Sequence, residues 1–410
     1  MQWSNRVMLR LLIVNILDRE EKNMDEQITT LASLTIDGKG SYGIGASAVP
    51  FSKDLYTYLR ITDIKDDGTL NLQDLKSVDD EKASEYLLKP NDIVFARTGA
   101  STGRNYFYDG TDGEFVYAGF LIKFSIDKKK VNPKYIKYFC QSKQYKDWIN
   151  SFNTGSTRGN INAQILGKMP IPLIERKTQD ALVCILSSID EKIKKNNEIN
   201  NNLEQQAQAI YQQMFIDNPD PDWIEGSLSD IANITMGQSP SGSSYNEDGI
   251  GAIFFQGRAE FGFRFPTIRL YTTEPKRMAY ANDILMSVRA PVGDLNVAHN
   301  DCCIGRGLAA IHSKTNHQSF VLYTMFSLKK QLDVFNSEGT VFGSINRNSL
   351  NDMPLLIPDN EQIEKFELIV APMDAAIRNN YAEICRLQAV RDSLLPRLMS
   401  GELDVSNIGL

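Results

Sequence analysis

The sequence has few cysteines, and their arrangement excludes two kinds of small stabilised fold. The five cysteines, Cys140, Cys184, Cys302, Cys303 and Cys385, are odd in number, scattered, and never spaced as Cys-x-x-Cys. A disulfide framework requires paired cysteines, and a zinc knuckle requires closely spaced ones. The pattern therefore favours neither, and it predicts a protein of the reducing cytoplasm.

Long hydrophobic runs are also lacking. The apolar stretch at residues 7–17 is interrupted by Arg10, and a charged segment at residues 18–22 follows it in place of a cleavage site. A membrane span needs about 20 apolar residues, and a signal peptide ends in small residues. We therefore expect no membrane association. Residues 1–23 are either a short amphipathic leader or an extension upstream of a true start at Met24.

The chain has no excess of positive charge. It carries 44 Lys and Arg residues against 51 Asp and Glu residues, which gives a formal net charge of −7. Binding to nucleic acid through bulk charge is therefore excluded, and any such binding must use local surfaces. The length of 410 residues and the 42% hydrophobic content predict an ordinary globular protein of two or three domains.

Motifs that carry catalysis are missing as well. The Gly-Lys pair at residues 167–168 is followed by Met169, so no phosphate-binding P-loop is formed. The sequence also lacks the [DN]PP[FY] tetrapeptide and the Phe-x-Gly-x-Gly loop of amino-methyltransferases. The histidines, His299, His312 and His317, are spaced neither for a metal site nor for a Ser/His/Asp relay. We therefore expect a chain that catalyses no reaction and binds no metal or cofactor.

The sequence repeats itself once, at an offset of about 184 to 191 residues. In each copy an apolar run ends in an arginine, Arg97 in the first and Arg289 in the second. The matching stretches are residues 91–94 and 282–285, 118–121 and 305–308, 155–162 and 339–346, and 169–170 and 353–354. An ordered series of matches predicts a duplicated module.

A long helical pattern follows each copy, at about residues 177–216 and 361–400. Apolar residues alternate at spacings of three and four, which is typical of a coiled-coil seam. A seam without a partner would leave large side chains in water, so we expect the two helices to pair with each other. Two roles stay open for the seam asparagines: they fix the register, or they reach water. The expected pairing residues are Ile189, Ile193, Asn196 and Leu203 in the first helix, and Met373, Ile377, Asn380 and Leu387 in the second.

These patterns predict an α+β protein in which two long helices separate two tandem globules. The helices are expected to form an antiparallel coiled coil, and the globules to be related by pseudo-two-fold symmetry. The predicted boundaries are a leader at 1–23, a globule at 24–175, a helical region at 176–217, a globule at 218–358 and a helical region at 359–410.

The predicted loops of both globules are rich in residues that contact phosphates and base edges. Arginine suits guanine, glutamine and asparagine suit adenine, and small hydroxyls suit phosphates. Singly, each such residue is more often a turn or surface residue, so the prediction depends on their recurrence in both copies. The expected DNA contacts are Ser41, Tyr42, Arg60, Arg97, Thr98, Ser101, Arg104 and Arg158 in the first copy, and Ser239, Ser241, Tyr245, Gln256, Arg258, Arg264, Arg289, Arg306 and Asn346 in the second.

Several stretches resemble the specificity subunits of type I restriction-modification enzymes. They are residues 40–48, 58–64, 235–242, 254–261 and 394–403, and the resemblance covers nearly the whole chain beyond Met24. It implies two target recognition domains, each binding one half of a split double-stranded DNA sequence. It also implies two conserved helical regions that set the unread spacer.

The same resemblance implies the partners. Two methyltransferase subunits carry S-adenosylmethionine and methylate adenine at N6, and two motor-nuclease subunits complete the complex. S-adenosylmethionine, ATP and Mg²⁺ are expected on those subunits and not on this chain. Because the loops of the two globules differ, an asymmetric target is expected. Two alternatives stay open: a self-contained DNA methyltransferase or nuclease with degenerate motifs, and a coiled-coil scaffold that binds proteins only.

Overall fold

The computed structural model describes residues 27–72, 74–152, 160–336 and 343–405. The chain forms two compact units, the first made of residues 1–193 and 386–410 and the second of residues 194–385. Each unit therefore combines one globule with part of both long helices, whereas the boundaries predicted from the sequence place the helices in separate regions. Residues 1–23 and Arg158 lie outside the described residues.

Two antiparallel-rich sheets and three short helices form the described part of the first globule. In one sheet the strand order is β2-β9-β6-β7, in the other β3-β5-β4-β8, and β1 pairs with β10. Every residue of β6 is buried, and the apolar run at residues 93–96 is typical of a central strand. The elements are β1 (Gln27–Thr30), β2 (Ser41–Tyr42), β3 (Ala48–Pro50), β4 (Tyr56–Leu59), β5 (Lys76–Val78), β6 (Asp92–Ala96), β7 (Asn105–Tyr108), β8 (Phe115–Tyr117), β9 (Leu121–Ser125), α1 (Pro133–Phe139), α2 (Lys143–Asn150), α3 (Ala163–Gly167), β10 (Pro170–Leu173) and the long helix α4 (Arg176–Tyr211).

The second globule has the same plan. Its first sheet has the order β12-β20-β17-β18, its second β13-β15-β14-β19-β16, and β11 pairs with β21. The elements are β11 (Ile224–Ser227), α5 (Leu228–Ile231), β12 (Ala232–Met236), β13 (Tyr245–Asn246), β14 (Ala252–Phe255), β15 (Leu270–Thr272), β16 (Met278–Ala279), β17 (Ile284–Ser287), β18 (Leu295–Val297), β19 (Cys302–Ile304), β20 (Leu308–Ser313), α6 (Gln318–Ser327), α7 (Lys329–Asp333), α8 (Arg347–Asn351), β21 (Pro354–Ile357) and the long helix α9 (Asn360–Met399). The predicted α+β class is confirmed.

The duplication extends to details of the backbone. Asn91 and Asn282, which precede the central strands β6 and β17, both have a φ of 76°. Asparagine adopts this left-handed conformation more readily than most residues. The carboxylates that follow, Asp92 and Asp283, each accept a hydrogen bond from an amide three residues earlier. Both copies therefore enter their central strand through the same turn.

The long helices contribute to the core of each unit. In the first unit Ile189 of α4 and Leu387 of α9 are buried in one apolar cluster, and Ile193 packs against it. In the second unit the buried cluster contains Ile377, and Leu203 and Met373 pack against it. Each of these six predicted pairing residues thus lies against a core, and in both units the N-terminal part of one helix accompanies the C-terminal part of the other.

The seam asparagines hydrogen-bond to the opposite helix within the second unit. Asn196 Nδ2 donates to Glu383 Oε2 at 2.9 Å, and Asn380 Nδ2 donates to Asn200 Oδ1 at 2.9 Å. Asn196 and Asn200 are only 1% and 2% exposed. Because a buried amide needs a specific partner, this geometry favours a role in register over a role in reaching water.

We expect Phe366→Ala to lower the free energy of unfolding by about 3–5 kcal/mol, because it removes a fully buried aromatic ring from the core. Phe366 is 0% exposed, and its ring centre lies 5.7 Å from that of Tyr211 and 5.4 Å from that of Phe215. Urea unfolding followed by circular dichroism measures the change.

Leu368→Ala on the same helix is the matched control. Leu368 is 79% exposed, so its loss should change stability by less than about 0.5 kcal/mol. Equal destabilisation by both variants would contradict the described packing of α9.

Candidate nucleic-acid interface

Three loops of the second unit meet where β12, β14 and β19 end. A Cβ atom on Gly237 would lie 2.1 Å from the carbonyl oxygen of Gly305, and one on Gly305 would lie 2.9 Å from Gln256 Cα. Only glycine permits backbones to approach so closely. The amide of Gly305 donates to Phe255 O at 2.8 Å, and the amide of Gln238 donates to Ile304 O at 2.9 Å. The loops are therefore held together by their backbones, which leaves side chains available for other contacts.

Four predicted DNA-binding residues lie at this junction, which we call loop cluster 2: Ser239, Gln256, Arg289 and Arg306. Gln256, Arg289 and Arg306 are exposed. The amide of Arg306 donates to Ser239 Oγ at 3.2 Å. Arg289 lies beside the loop of Arg306 because the amide of Val288, the residue before Arg289, donates a hydrogen bond to Gly307 O. Two guanidinium groups and an amide side chain on adjoining loops can bind phosphates and the edges of guanine and adenine.

The first unit has a corresponding junction, loop cluster 1, made of Tyr42, Arg60, Arg97 and the loop of Gly119 and Phe120. A Cβ atom on Gly43, at the end of β2, would lie 2.3 Å from Ala118 O. Tyr42 is 42% exposed, and its ring centre lies 5.0 Å from the Arg97 guanidinium carbon. This distance is that of a cation–π contact.

Equivalent backbone hydrogen bonds align Arg97 with Val288 and Thr98 with Arg289. The amides of Arg97 and Val288 donate to the loops after β8 and β19, and their carbonyls accept from Ile161 and Ile345 respectively. The repeat in the sequence suggested that the two arginines correspond, but they are one position apart. As a result, Arg289 is exposed, whereas Arg97 is half-buried and its Nε has no hydrogen-bond partner among the described residues.

Three further predicted arginines are held by acidic neighbours. Arg60 donates to both carboxylate oxygens of Asp63, at 2.6 and 3.0 Å. Arg104 Nε donates to Asp66 at 2.6 Å, and Arg258 pairs with Asp294. These carboxylates orient the guanidinium groups and reduce their net charge, so DNA binding through them would compete with an existing ion pair.

The remaining predicted contacts have local structural roles in addition to any role with DNA. Asn346 Oδ1 accepts from the Ser349 amide at 3.0 Å and caps α8. The Tyr245 hydroxyl donates to Pro240 O at 3.1 Å. The others are Ser41, which pairs with Lys123 in the sheet, Thr98, which bridges to Asn160, Ser101, whose carbonyl accepts from the Arg104 amide, and Ser241, whose hydroxyl contacts that of Ser243.

The prediction that Arg264 contacts DNA does not fit its position. Arg264 is 4% exposed; its Nη2 lies 3.0 Å from the Tyr323 hydroxyl and 3.3 Å from Glu204 Oε1, and its Nη1 lies 3.3 Å from Asp374 Oδ1. Burial raises the pKa values of Glu204 and Tyr323, and the nearby Arg264 charge opposes both increases. The neighbouring Phe265, also 4% exposed, draws this segment into the core, so the guanidinium is not available to DNA.

Phe120 was not among the predicted contacts, although it lies in loop cluster 1. It is 60% exposed, and its carbonyl accepts from the Arg97 amide at 3.1 Å. An exposed aromatic ring beside an arginine can make apolar contacts with nucleic acid. The signal in the sequence is an aromatic residue in a glycine-containing loop between two predicted strands.

Metal-binding groups and membrane spans are both missing from the described ranges. There, no group of three or more His, Cys, Asp or Glu residues is placed to hold a metal ion. No helix among these residues is long and apolar enough to cross a bilayer.

Comparison with known proteins gives a consistent family match. The sequence model of the type I restriction modification DNA specificity domain matches twice, at residues 52–205 and 221–381. A protein of Methanocaldococcus jannaschii, named provisionally as the type I restriction enzyme MjaX specificity subunit, is 28% identical over 374 residues, which are 85% of this chain and 88% of that protein. The HindI specificity subunit of Haemophilus influenzae is 20% identical over 403 residues, covering 77% of this chain and 87% of that protein.

A solved structure has the same fold. The crystal structure of the type I restriction-modification system S subunit from M. genitalium matches with a TM-score of 0.57 and 18% identity, covering 93% of this chain and 97% of that one. The fold is therefore shared over nearly the whole length.

We expect Arg289→Ala to weaken DNA binding by about 1–3 kcal/mol and to relax the preference at one base position, because Arg289 is exposed at loop cluster 2. Arg97→Ala should weaken binding less, since its guanidinium already stacks on Tyr42. Gel shifts on a panel of duplexes measure both effects. Arg386→Ala, which removes an exposed charge from α9, is the control; an unchanged affinity and preference in Arg289→Ala would exclude that residue from the interface.

Proposed function

The chain belongs to the type I restriction-modification DNA specificity family, and on that premise we propose that it binds an asymmetric DNA target in two halves. As a specificity subunit, it recognises the DNA target of its restriction-modification system. The observation that carries the proposal is the presence of one loop cluster in each unit, built on the same strand order. We infer that each cluster binds one half-site.

The asymmetry of the target follows from the side chains at equivalent positions. The amides of Ala118 and Gly305 donate to the carbonyls of the last residues of β4 and β14. Arg60 and Gln256, which follow these strands, therefore hold equivalent positions in the two copies. Thr98 is likewise replaced by Arg289. Arginine and glutamine present different donor and acceptor patterns, and they favour different bases. Two clusters with different groups at matched positions are therefore expected to select different sequences.

We further propose that α4 and α9 pair along their length as an antiparallel coiled coil. Such pairing would relate the two recognition domains by a pseudo-two-fold axis and would set the spacer between the half-sites. The proposal is supported within each unit by the shared apolar clusters and by the cross-helix hydrogen bonds of Asn196 and Asn380. Polar residues in an apolar seam restrict the register in which helices can pair.

The chemistry is assigned to partner subunits. We propose that two methyltransferase subunits, carrying S-adenosylmethionine, modify adenine at N6, and that two motor-nuclease subunits, using ATP and Mg²⁺, cleave DNA. This chain then carries no cofactor and catalyses no reaction. We also propose a cytoplasmic location, which is supported by the odd number and scattered positions of the cysteines. The proposal is supported by the family match and by the absence of catalytic motifs from the sequence.

Methyl transfer separates this proposal from a self-contained enzyme. The purified chain, incubated with labelled S-adenosylmethionine and DNA, should transfer no label, because the methyltransferase motifs are missing from its sequence. Addition of the methyltransferase subunits should restore transfer at one bipartite sequence. Transfer by the chain alone would support the enzyme alternative.

Salt dependence separates DNA recognition from a protein scaffold. The affinity of the complex for its target should fall steeply as salt rises, with a slope of about −0.9 in log–log form for each phosphate contacted. This is expected despite the acidic composition, because the binding charges are local. Titration of a fluorescent duplex at several salt concentrations measures the slope, with a scrambled duplex as control. A complex indifferent to both salt and sequence would favour the scaffold.

A further inference from the structure

A tyrosine–aspartate contact joins the globule to a long helix in each unit. In the first unit the Tyr138 hydroxyl of α1 donates to Asp190 Oδ2 of α4 at 2.9 Å. In the second unit the Tyr323 hydroxyl of α6 donates to Asp374 Oδ1 of α9 at 2.9 Å. The two contacts are equivalent in the duplicated fold, since α1 follows β9 and α6 follows β20, which hold corresponding positions in their sheets.

The positive charge that faces the aspartate comes from different places in the two units. In the first unit it comes from helices: Lys137 Nζ of α1 lies 2.9 Å from Asp190, and Arg391 Nη1 of α9 lies 3.4 Å from it. In the second unit it comes from Arg264, which lies in the segment between β14 and β15. That segment begins at Gln256 in loop cluster 2. Among the described contacts, the positive charge beside the aspartate is therefore connected to a predicted DNA-binding loop in the second unit only.

Arg264 is fixed in place by its surroundings. Its guanidinium contacts Tyr323, Glu204 and Asp374, which come from α6, α4 and α9 respectively. The guanidinium carbon also lies 5.6 Å from the ring centre of Tyr323 and 5.8 Å from that of Phe326. A buried charge that loses such partners is strongly destabilised, so the side chain has one favourable position.

The segment between Arg264 and loop cluster 2 is also held. The Arg264 carbonyl accepts from the Val297 amide at 2.8 Å. Gly262 and Asn296 exchange two hydrogen bonds, of 3.2 and 3.0 Å. Arg258 forms an ion pair with Asp294, which lies two residues before Asn296. A short and repeatedly bonded segment therefore links Arg264 to Gln256.

We propose that Arg264 is a positioning residue for the second recognition domain. It attaches the loop of Gln256 and Arg258 to α4, α6 and α9, and it thereby determines where these side chains meet the bases of one half-site. The first unit lacks an equivalent attachment among its described contacts, so the other half-site does not depend on this cluster. The inference rests on the proposed function, and it extends that function to a residue that does not touch DNA.

The test uses the chain assembled with its methyltransferase subunits and a duplex library randomised at both half-sites. Arg289→Ala first identifies the half-site bound by the second domain. Arg264→Met should then reduce the discrimination at that half-site by about tenfold and leave the other half-site unchanged. Arg264→Lys should restore part of the discrimination, because lysine keeps the charge but cannot contact three groups in one plane.

Arg391→Met is the matched control. It removes the corresponding charge from the first unit, where that charge belongs to a helix and not to a DNA-binding loop. It should lower the urea midpoint without changing the discrimination at either half-site. If Arg264→Met does not fold, two variants replace it: Tyr323→Phe, which removes a hydrogen bond of Arg264, and Glu204→Gln, which removes the negative charge beside it. Both should give the same half-site-specific loss.

Three results would overturn the proposal. The first is unchanged discrimination in folded Arg264→Met or, where that variant does not fold, in both replacement variants. The second is an equal loss of discrimination at both half-sites. The third is the same loss in Arg391→Met. If the wild-type complex shows no bipartite target at all, the proposed function fails, and the role of Arg264 fails with it. Half-site-specific loss in the Arg264 variants alone supports the proposal.

Discussion

Burial of the apolar faces of α4 and α9 is the interaction on which the rest of the structure depends. Neither helix could retain its stripe of large side chains in water without a substantial loss of stability. In each unit these side chains join the same cluster as the central strand and the short helices of the globule. Because Ile93 and Leu182 share one core, as do Ile284 and Phe366, a globule and its helix segments are stabilised together.

Much of this arrangement could be predicted from the sequence. The alternation of threes and fours marked side chains of α4 and α9 that lie in or against the cores, since a narrow apolar stripe must be covered. The ordered repeat predicted two copies of one module, and corresponding strands have the same order in both, with β16 added at one edge in the second globule. These features depend on periodicity and order along the chain, which are visible without coordinates. The discontinuous composition of the compact units, in contrast, depends on contacts between distant segments.

The details of the interface were harder to predict, and Arg264 shows why. An arginine in a glycine-containing loop looks like an exposed basic residue, and only the positions of Glu204 and Asp374 on other elements explain its burial. The alignment of Arg97 with Arg289 was wrong by one position for a similar reason. The sequence repeat aligned the two arginine side chains, whereas the backbone hydrogen bonds of the loops align Arg97 with Val288.

The discontinuity of the first unit has a consequence for biosynthesis. The buried core of the first unit is completed by Leu387, Leu394, Leu395, Leu398, Met399, Leu403 and Val405, and its other buried members all precede residue 194. A ribosome must therefore translate the entire second unit before the first has all of its parts. Until then the first globule exposes part of its apolar surface. We expect a chaperone or an early-assembling partner to protect the chain most at this stage of synthesis.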